Sequence, residues 1–172
     1  MYTNSNPTVG QSISVSDKME GQKQDMQRPG LEGHKGPVTI GEVLQVVGVR
    51  HPEKQIDIAV VSAIRSAEGR ATGVKDGLPN GPATQAQHVL DRRTNPTLAN
   101  AGPEPTLGTI LAHAKDTQQL EKPVNLRDAQ RITEAEMRNS PTGQIEPDGI
   151  GAAVQAAADY NVACGHVNPN AQ

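Results

Sequence analysis

Cysteine and histidine are the side chains of this sequence whose types and spacing come closest to chemistry. The single cysteine, Cys164, stands two residues before His166 and could pair with it as thiol and base, or supply half of a metal site. A catalytic cysteine needs a positioned base and a shaped pocket, whereas this pair lies beside a stretch that we predict to be a flexible tail. We therefore predict an incidental free thiol, whose main consequence is oxidative dimerisation.

The histidines do not recur at spacings typical of metal sites, such as two histidines one helical turn apart. We expect no structured metal site, while weak binding of transition metals to a mobile chain stays open. The histidines are His34, His51, His88, His113 and His166.

Glycines and carboxylates supply two further candidates. Gly149-Ile150-Gly151 faintly resembles a phosphate-binding turn, but that fingerprint needs a preceding strand and a third glycine. We interpret these glycines as backbone hinges. Asp128, Glu134 and Glu136 are interpreted as a solvated helix face rather than as catalytic carboxylates. We predict no catalytic, cofactor-binding or metal-binding residue, and the chain is not expected to be an enzyme.

Aromatic residues are nearly absent, which limits the core that the chain can build. The sequence has no Phe, no Trp and two Tyr, and Leu, Ile and Val make up about 19% of it, just under the ~20% associated with disorder. Aromatic side chains normally supply about 150–250 Å² of buried area each. The net charge is only −3, so charge repulsion does not hold the chain open. We predict a marginally stable or partly disordered protein in water.

Charge, cysteine content and hydropathy also bear on location and partners. One cysteine excludes an intramolecular disulfide framework and suits a reducing compartment. Residues 1–7 contain neither the basic nor the apolar region of a signal peptide, and the longest aliphatic run, 58–61, is too short to cross a membrane. We expect a protein that is neither secreted nor membrane-spanning. Its nearly balanced charge gives no reason to expect a specific nucleic-acid partner.

Two stretches of the chain match each other, and both are predicted to form the same helix. The first runs from Asp57, which can cap the free amides, to Gly73, a natural helix stop. The second runs from Asn125 to Asn139. The chain is therefore predicted to be a repeat protein. The matched positions are Ile64 with Ile132, Ala67 with Ala135, Glu68 with Glu136, and Arg70 with Arg138.

A shorter helix precedes this central helix in each repeat. Thr39 and Glu42 have the spacing of a capping box, and apolar residues follow at helical spacing. Gly41 weakens this helix by about 1 kcal/mol relative to alanine. In the second repeat Thr106 and Gly108 take the places of Thr39 and Gly41, and the acidic residue of the box is lost.

A third helix follows the central one in each repeat. Pro82 suits the first turn of the first copy. The second copy opens with Gly149 and Gly151 and ends near Tyr160-Asn161. Isolated helices of about 10–15 residues are marginal in water, and two repeats are fewer than a solenoid needs.

The predicted fold class is mainly α with extensive disorder, in which two repeats of about three short amphipathic helices each are weakly packed between disordered tails. The predicted divisions are a disordered N-terminal tail (1–36), a first repeat (37–91), an extended, structureless Pro-rich linker (92–105), a second repeat (106–164) and a C-terminal tail (165–172).

Four pieces of this pattern resemble the seed maturation protein (SMP) repeat of plant late embryogenesis abundant proteins. They are residues 38–44, 63–73, 129–138 and 149–161. The last piece is the most specific, because a helix opened by Gly-x-Gly and ending in Ala-Ala-x-Tyr-Asn is characteristic of that family. The resemblance covers about residues 37–164. The first repeat departs from it, since 81–90 lacks the alanine run.

The resemblance implies a hydrophilic stress-response protein that accumulates as plant seeds mature and dry. Such a protein protects other proteins and membranes during water loss, is not an enzyme, and lies in the cytosol or nucleus. The implied partners are nonspecific client proteins and membrane surfaces on drying, and weak self-association is allowed.

Two functional hypotheses follow. The first is a desiccation protectant that gains amphipathic helix as water is lost, because drying removes the solvent that competes for backbone amides. The alternative is a folded helical interaction module that binds a specific protein partner. Cooperative unfolding in plain buffer would favour the second hypothesis.

Overall fold

The computed structural model describes residues 34–171. The chain divides into a unit of residues 1–35 and a unit of residues 36–172, and the fold below is that of the second unit. Most of the predicted N-terminal tail, residues 1–33, lies outside the described residues. The described part is mainly helical, as predicted, and contains no strand. Its α-helices are α1 (Ile40–Arg50), α2 (Ile58–Thr72), α3 (Pro82–Thr94), α4 (Leu107–Leu111), α5 (Leu126–Asn139) and α6 (Ile150–Ala163).

Short polar side chains begin the helices where the sequence predicts them. Thr39 and Glu42 form a complete capping box at the start of α1. The Asp57 carboxylate accepts from the Val60 N–H at 2.9 Å at the start of α2, and the Asn125 side chain accepts from the Asp128 N–H at 2.7 Å at the start of α5. These bonds satisfy amides that have no partner within the helix.

Other helix ends also follow the prediction. Thr106 caps α4 through the Thr109 N–H at 3.3 Å. Gly73 ends α2 in the left-handed region with φ 77°, where glycine has no steric penalty. Pro82 occupies the first turn of α3, where its missing N–H costs nothing.

The predicted linker is more ordered than expected. Helix α3 continues to Thr94, and residues Pro96–Leu98 form a 3₁₀ turn whose first N–H is capped by the Asn95 side chain. The prediction of an extended, structureless segment was therefore wrong for 92–98. A proline fits the first position of a helical turn because its fixed φ is already helical. Helix α6 likewise continues past Tyr160-Asn161 to Ala163.

The helices pack on one another around a core that both repeats share. Helix α2 packs along α5, and α5 packs along α6. Helix α1 packs more extensively on α4 and α6 of the second repeat than on α2 of its own. The expectation of weakly packed helices missed this shared core. The largest fully buried apolar side chains are Ile40, Leu44, Ile56, Ile64, Val89, Leu107, Leu111, Leu120, Val124, Ile132 and Val154.

Small residues allow close approach between helices from different repeats. A Cβ on Gly41 would lie 2.5 Å from the Ala114 carbonyl oxygen, and one on Gly48 would lie 2.8 Å from the Leu111 Cβ. Gly41 therefore does more than weaken α1, because it lets the helix reach the 3₁₀ turn Ala114–Asp116. Within residues 34–171, every helix is too short or too polar to cross a bilayer.

Two helix-interior glycines should respond oppositely to replacement by alanine. We expect Gly41→Ala to lower the free energy of unfolding by about 1–3 kcal/mol, because the added methyl group overlaps backbone. Gly69→Ala should raise it by about 0.5–1 kcal/mol, since its nearest neighbour would be the Val74 carbonyl oxygen at 3.5 Å. Urea titration followed by far-UV circular dichroism, in trimethylamine N-oxide to favour the folded state, measures both. Equal effects of the two substitutions would contradict this account.

Candidate functional site

Four buried polar side chains lie at the centre of the fold and join its helices. Glu68, Asp128 and Asn161 are 0% exposed and Glu136 is 5% exposed. The interpretation of Asp128 and Glu136 as a solvated face was therefore wrong. Glu134 is partly exposed and bonds Arg131 and Gln130 on its own helix. Helical spacing alone did not reveal that Asp128 and Glu136 are buried while Glu134 is partly exposed, because the neighbours that bury the first two come from other elements.

Glu68 holds the turn between α2 and α3. Its Oε2 accepts from the Leu78 N–H at 2.9 Å, and its Oε1 accepts from the Ala83 N–H at 2.7 Å. The second amide belongs to the first turn of α3, where N–H groups lack helical partners and the helix dipole favours negative charge. The carboxylate of one helix therefore caps the next.

Glu136 makes the corresponding contacts in the second repeat. It accepts from the Glu146 N–H at 3.2 Å and from the Gly151 N–H at 2.5 Å at the start of α6. A Cβ on Gly149 would lie 2.6 Å from the Glu136 carboxylate, and one on Gly151 would lie 2.8 Å from it. These glycines are close-approach positions rather than hinges. The helix N-terminus that resembles a phosphate site is filled by the protein's own carboxylate.

The first repeat carries the same glycine requirement. A Cβ on Gly81, the residue before α3, would lie 2.7 Å from Glu68 Oε1. A glutamate near the end of the central helix, followed by a glycine-rich turn, therefore occurs twice in the chain. That recurrence is the sequence signal that could have identified both buried carboxylates.

Asn161 joins three parts of the chain. Its side-chain oxygen accepts from the Val38 N–H at 2.7 Å, and its Nδ2 donates to the carbonyls of Val38 at 2.8 Å and of Val124 at 2.9 Å. Val38 and Val124 also bond each other directly, Val124 N–H donating to the Val38 carbonyl at 3.0 Å. The residue predicted only as the end of the third helix therefore fastens the strand-like segments that precede α1 and α5.

Arg93 holds the position of the first repeat that corresponds to Asn161. It donates to the Ile56 carbonyl, as Asn161 does to Val124, and it also pairs with Glu104. The Arg93 hydrogen bond and charge lower the pKa of the Glu104 carboxyl. Stability from this pair is complete above the ordinary carboxyl pKa and is lost as the pH falls through the lowered value. The effect is small because the carboxyl is exposed.

Asp128 is the buried partner of two cations. Its Oδ1 lies 2.7 Å from Arg70 Nε of the first repeat, and its two oxygens lie 3.0 and 2.8 Å from Lys122 Nζ. Lys122 also donates to the Arg70 carbonyl at 3.1 Å. Arg138, which matches Arg70 in the sequence, is exposed. The two repeats therefore differ here, because Val60 stands where the second repeat has Asp128.

Removing the Asp128 charge should destabilise the fold. We expect Asp128→Asn to lower the free energy of unfolding by about 2–4 kcal/mol, because two cations lose their buried partner. Asp159→Asn on the exposed face of α6 is the matched control, and it should change stability by less than about 0.5 kcal/mol. The same urea titration measures both variants. A loss for Asp128→Asn no larger than for the control would refute the ion-pair argument.

The remaining predicted repeat positions differ in how deeply they are buried. Ile64, Ile132 and Ala67 are fully buried, and Ala135 is half-buried. Tyr160 is 8% exposed and lies 6.1 Å from the His166 ring. Gly108 lies against Pro52, which a Cβ would approach to 2.8 Å.

Cys164 and the histidines are the remaining candidates for chemistry. Cys164 is exposed at the end of α6. Within residues 34–171, His, Cys, Asp and Glu side chains form no group of three or more that could hold a metal ion. A cavity lined in part by Val47, Ala59 and Leu107 has a volume of only about 10 Å³, room for one water.

These contacts define a class of protein: a helical repeat protein whose buried polar side chains bond its own backbone and its own charged side chains. A model of the seed maturation protein family matches residues 38–92 and 106–164. Late embryogenesis abundant protein 47 of Arabidopsis thaliana is 34% identical over 127 residues, which cover 74% of this chain and 65% of that protein. The chain therefore belongs to the seed maturation protein family.

Other relatives carry similar names. Late embryogenesis abundant protein D-34 of Gossypium hirsutum is 33% identical over 124 residues, 72% of this chain and 46% of that protein. Late embryogenesis abundant protein 3 of Arabidopsis thaliana is 30% identical over 154 residues, 87% of this chain and 84% of that protein. The chain thus spans about half to two thirds of the length of the first two relatives. No solved structure matches it.

Proposed function

We propose that this chain is a late embryogenesis abundant protectant that gains its helical structure as water is lost and then shields other macromolecules. The observation that carries the proposal is the combination of a small aliphatic core with buried polar groups. Alanine and valine fill much of the core, and Phe and Trp are absent from the sequence. Hydrogen bonds that Glu68 and Glu136 accept, and that Asn161 donates, hold the helices in place.

The physical reason is the competition between water and the protein for polar groups. A hydrogen bond contributes only about 0.5–1.5 kcal/mol net in water, because the unfolded chain bonds to solvent instead. Drying removes that competitor, so each of these bonds strengthens. A core without large aromatic side chains contributes less hydrophobic stabilisation than an ordinary core of the same size, so the polar groups have a larger share in setting the folded fraction.

Client contact is proposed to be weak and nonspecific. Val49 is 71% exposed and Ile58 is 57% exposed, so single aliphatic side chains can rest on exposed patches of client proteins or on membrane surfaces. Scattered residues of this kind do not make a tight interface. The proposed location is the cytosol or nucleus, and the proposed role involves no catalysis.

The test couples structure to protection. Far-UV circular dichroism of one sample in buffer and as a dried film should show a large gain of helix on drying. An enzyme dried with this protein should keep more activity than one dried with an equal mass of albumin. Asn161→Ala should reduce both the helical gain and the protection, whereas Asn139→Ala, whose side chain bonds only within α5, should reduce neither. Equal protection by albumin would refute the proposal.

The alternative is a folded helical module that binds one protein partner. The observation that favours it is the shared core of 34–171, in which Val38 and Asn161 bond across 123 positions of the chain. A cooperative thermal transition and dispersed amide signals in plain buffer would support this alternative. A coil spectrum in buffer would exclude it.

A further inference from the structure

The contacts that complete each repeat come from the other repeat. Helix α1 of the first repeat packs mainly on second-repeat elements, and α2 packs most extensively on α5. The Ile40 N–H donates to the Lys122 carbonyl at 2.9 Å, and the Gly108 N–H donates to the Pro52 carbonyl at 3.0 Å. The first bond joins the start of α1 to the segment before α5 of the other repeat. The second joins the start of α4 to the segment before α2 of the other repeat.

Polar side chains reinforce this reciprocal arrangement. Arg70 reaches Asp128, and the Ser66 hydroxyl donates to the Arg131 carbonyl at 3.3 Å. Asn161 of the second repeat holds Val38 of the first. Each repeat is therefore a complementary partner for the other, and the pairing surface consists of α1 and α2 on one side and α4, α5 and α6 on the other.

The covalent connection between the repeats is held only at the surface. Residues 94–104 are exposed. Arg92 donates to the Gly102 and Pro103 carbonyls, and Arg93 pairs with Glu104. Exposed contacts of this kind contribute about 0–1 kcal/mol each. The segment 95–105 has 11 residues and can reach roughly 35 Å when extended, so opening it costs little.

We propose that two copies of this chain exchange repeats, so that the first repeat of one copy packs on the second repeat of the other through these same contacts. Domain exchange creates dimers at low cost because it uses contacts that already exist. A short flexible linker gives the intramolecular partner an effective concentration of order millimolar. For a chain of 18.2 kDa, 1 mM is about 18 g/L, which drying exceeds. Exchange should therefore be rare in dilute solution and common in concentrated solution.

The first test keeps the natural contacts between the repeats and distinguishes two copies of the chain by isotope label. Unlabelled and ¹⁵N-labelled chains, both carrying Cys164→Ser to remove disulfide dimers, are mixed, concentrated to dryness, rehydrated and examined by native mass spectrometry. Mixed-label dimers should exceed those in an undried mixture by about tenfold or more. Absence of mixed-label dimers after drying would overturn the proposal.

The second test identifies the surface by exchanging charges. In Arg70→Asp two carboxylates oppose each other within one chain beside Lys122, and in Asp128→Arg the new guanidinium meets both Arg70 and Lys122. In an exchanged dimer with one copy of each variant, the side chain at position 70 of each copy faces position 128 of the other copy. Both of these pairs then consist of opposite charges. The mixture should contain at least about tenfold more heterodimer than either variant forms as homodimer, with a helical signal above the average of the two. If wild-type dimers form but the mixture lacks this preference, the dimers use another surface and the proposal is wrong.

This inference is independent of the protective role. Failure of the exchange tests leaves the client-drying result unchanged, and equal protection by albumin leaves the dimer result unchanged.

Discussion

Replacing Asn161 with alanine should lower the free energy of unfolding by about 3–5 kcal/mol. The substitution removes three hydrogen bonds between buried groups and leaves the Val38 N–H and the Val124 carbonyl without this partner. Each buried polar group left unsatisfied costs about 1–3 kcal/mol. Because Val38 precedes α1 and Val124 precedes α5, both repeats should loosen together. Urea titration in trimethylamine N-oxide, followed by far-UV circular dichroism, measures the change.

Asn139→Ala is the matched control for this substitution. Its side chain is half-buried and donates only to the Ala135 carbonyl at 3.0 Å within the same helix, so its loss should cost less than about 1 kcal/mol. If the two variants unfold at the same urea concentration, Asn161 does not fasten the repeats in the way described.

Replacing Glu68 or Glu136 with alanine should each lower the free energy of unfolding by about 2–4 kcal/mol. Each substitution leaves two amides without a carboxylate acceptor, one of them in the first turn of α3 or α6. The change also removes a negative charge from a helix N-terminus, a charge that contributes up to about 2 kcal/mol in a buried setting. The same titration measures both variants, and the corresponding glutamines should lose less, since an amide oxygen can still accept one of the two bonds.

Glu134→Ala controls for the loss of a carboxylate from α5. Glu134 lies on the same helix, is partly exposed and bonds only neighbouring side chains, so we expect a change within about 0.5 kcal/mol. A loss for Glu68→Ala or Glu136→Ala as small as for Glu134→Ala would mean that these carboxylates do not hold the turns.

The polar contacts that these substitutions remove also bear on the proposed folding of the chain as water is lost. The polar anchors act across long stretches of chain, since Asn161 and Val38 are 123 positions apart. Long-range contacts reward folding only after much of the chain has been ordered. A chain with such anchors and a small aliphatic core is one in which removal of water can shift the balance between unfolded and folded states.

Local features of the fold could be predicted from the sequence. The start of α1 at Thr39, of α2 at Asp57 and of α5 at Asn125 depends on side chains that bond amides three residues away. The stop at Gly73 depends on its own backbone freedom. Such signals lie within a few residues, so a single sequence contains them. The repeated pattern indicated the family for the same reason.

The tertiary structure alone decided which polar side chains are buried and which groups they bond. Asp128, Glu134 and Glu136 have similar polarity and lie on one helix, yet two of them are buried and one is partly exposed. Whether a carboxylate meets water or a buried partner depends on elements elsewhere in the chain, which come before Asp128 and after Glu136. The sequence by itself therefore determined where helices begin and which family the chain resembles. The packing of helices within each repeat determined what the glutamates and the glycines beside them do, and the packing of one repeat against the other determined what Asn161 does.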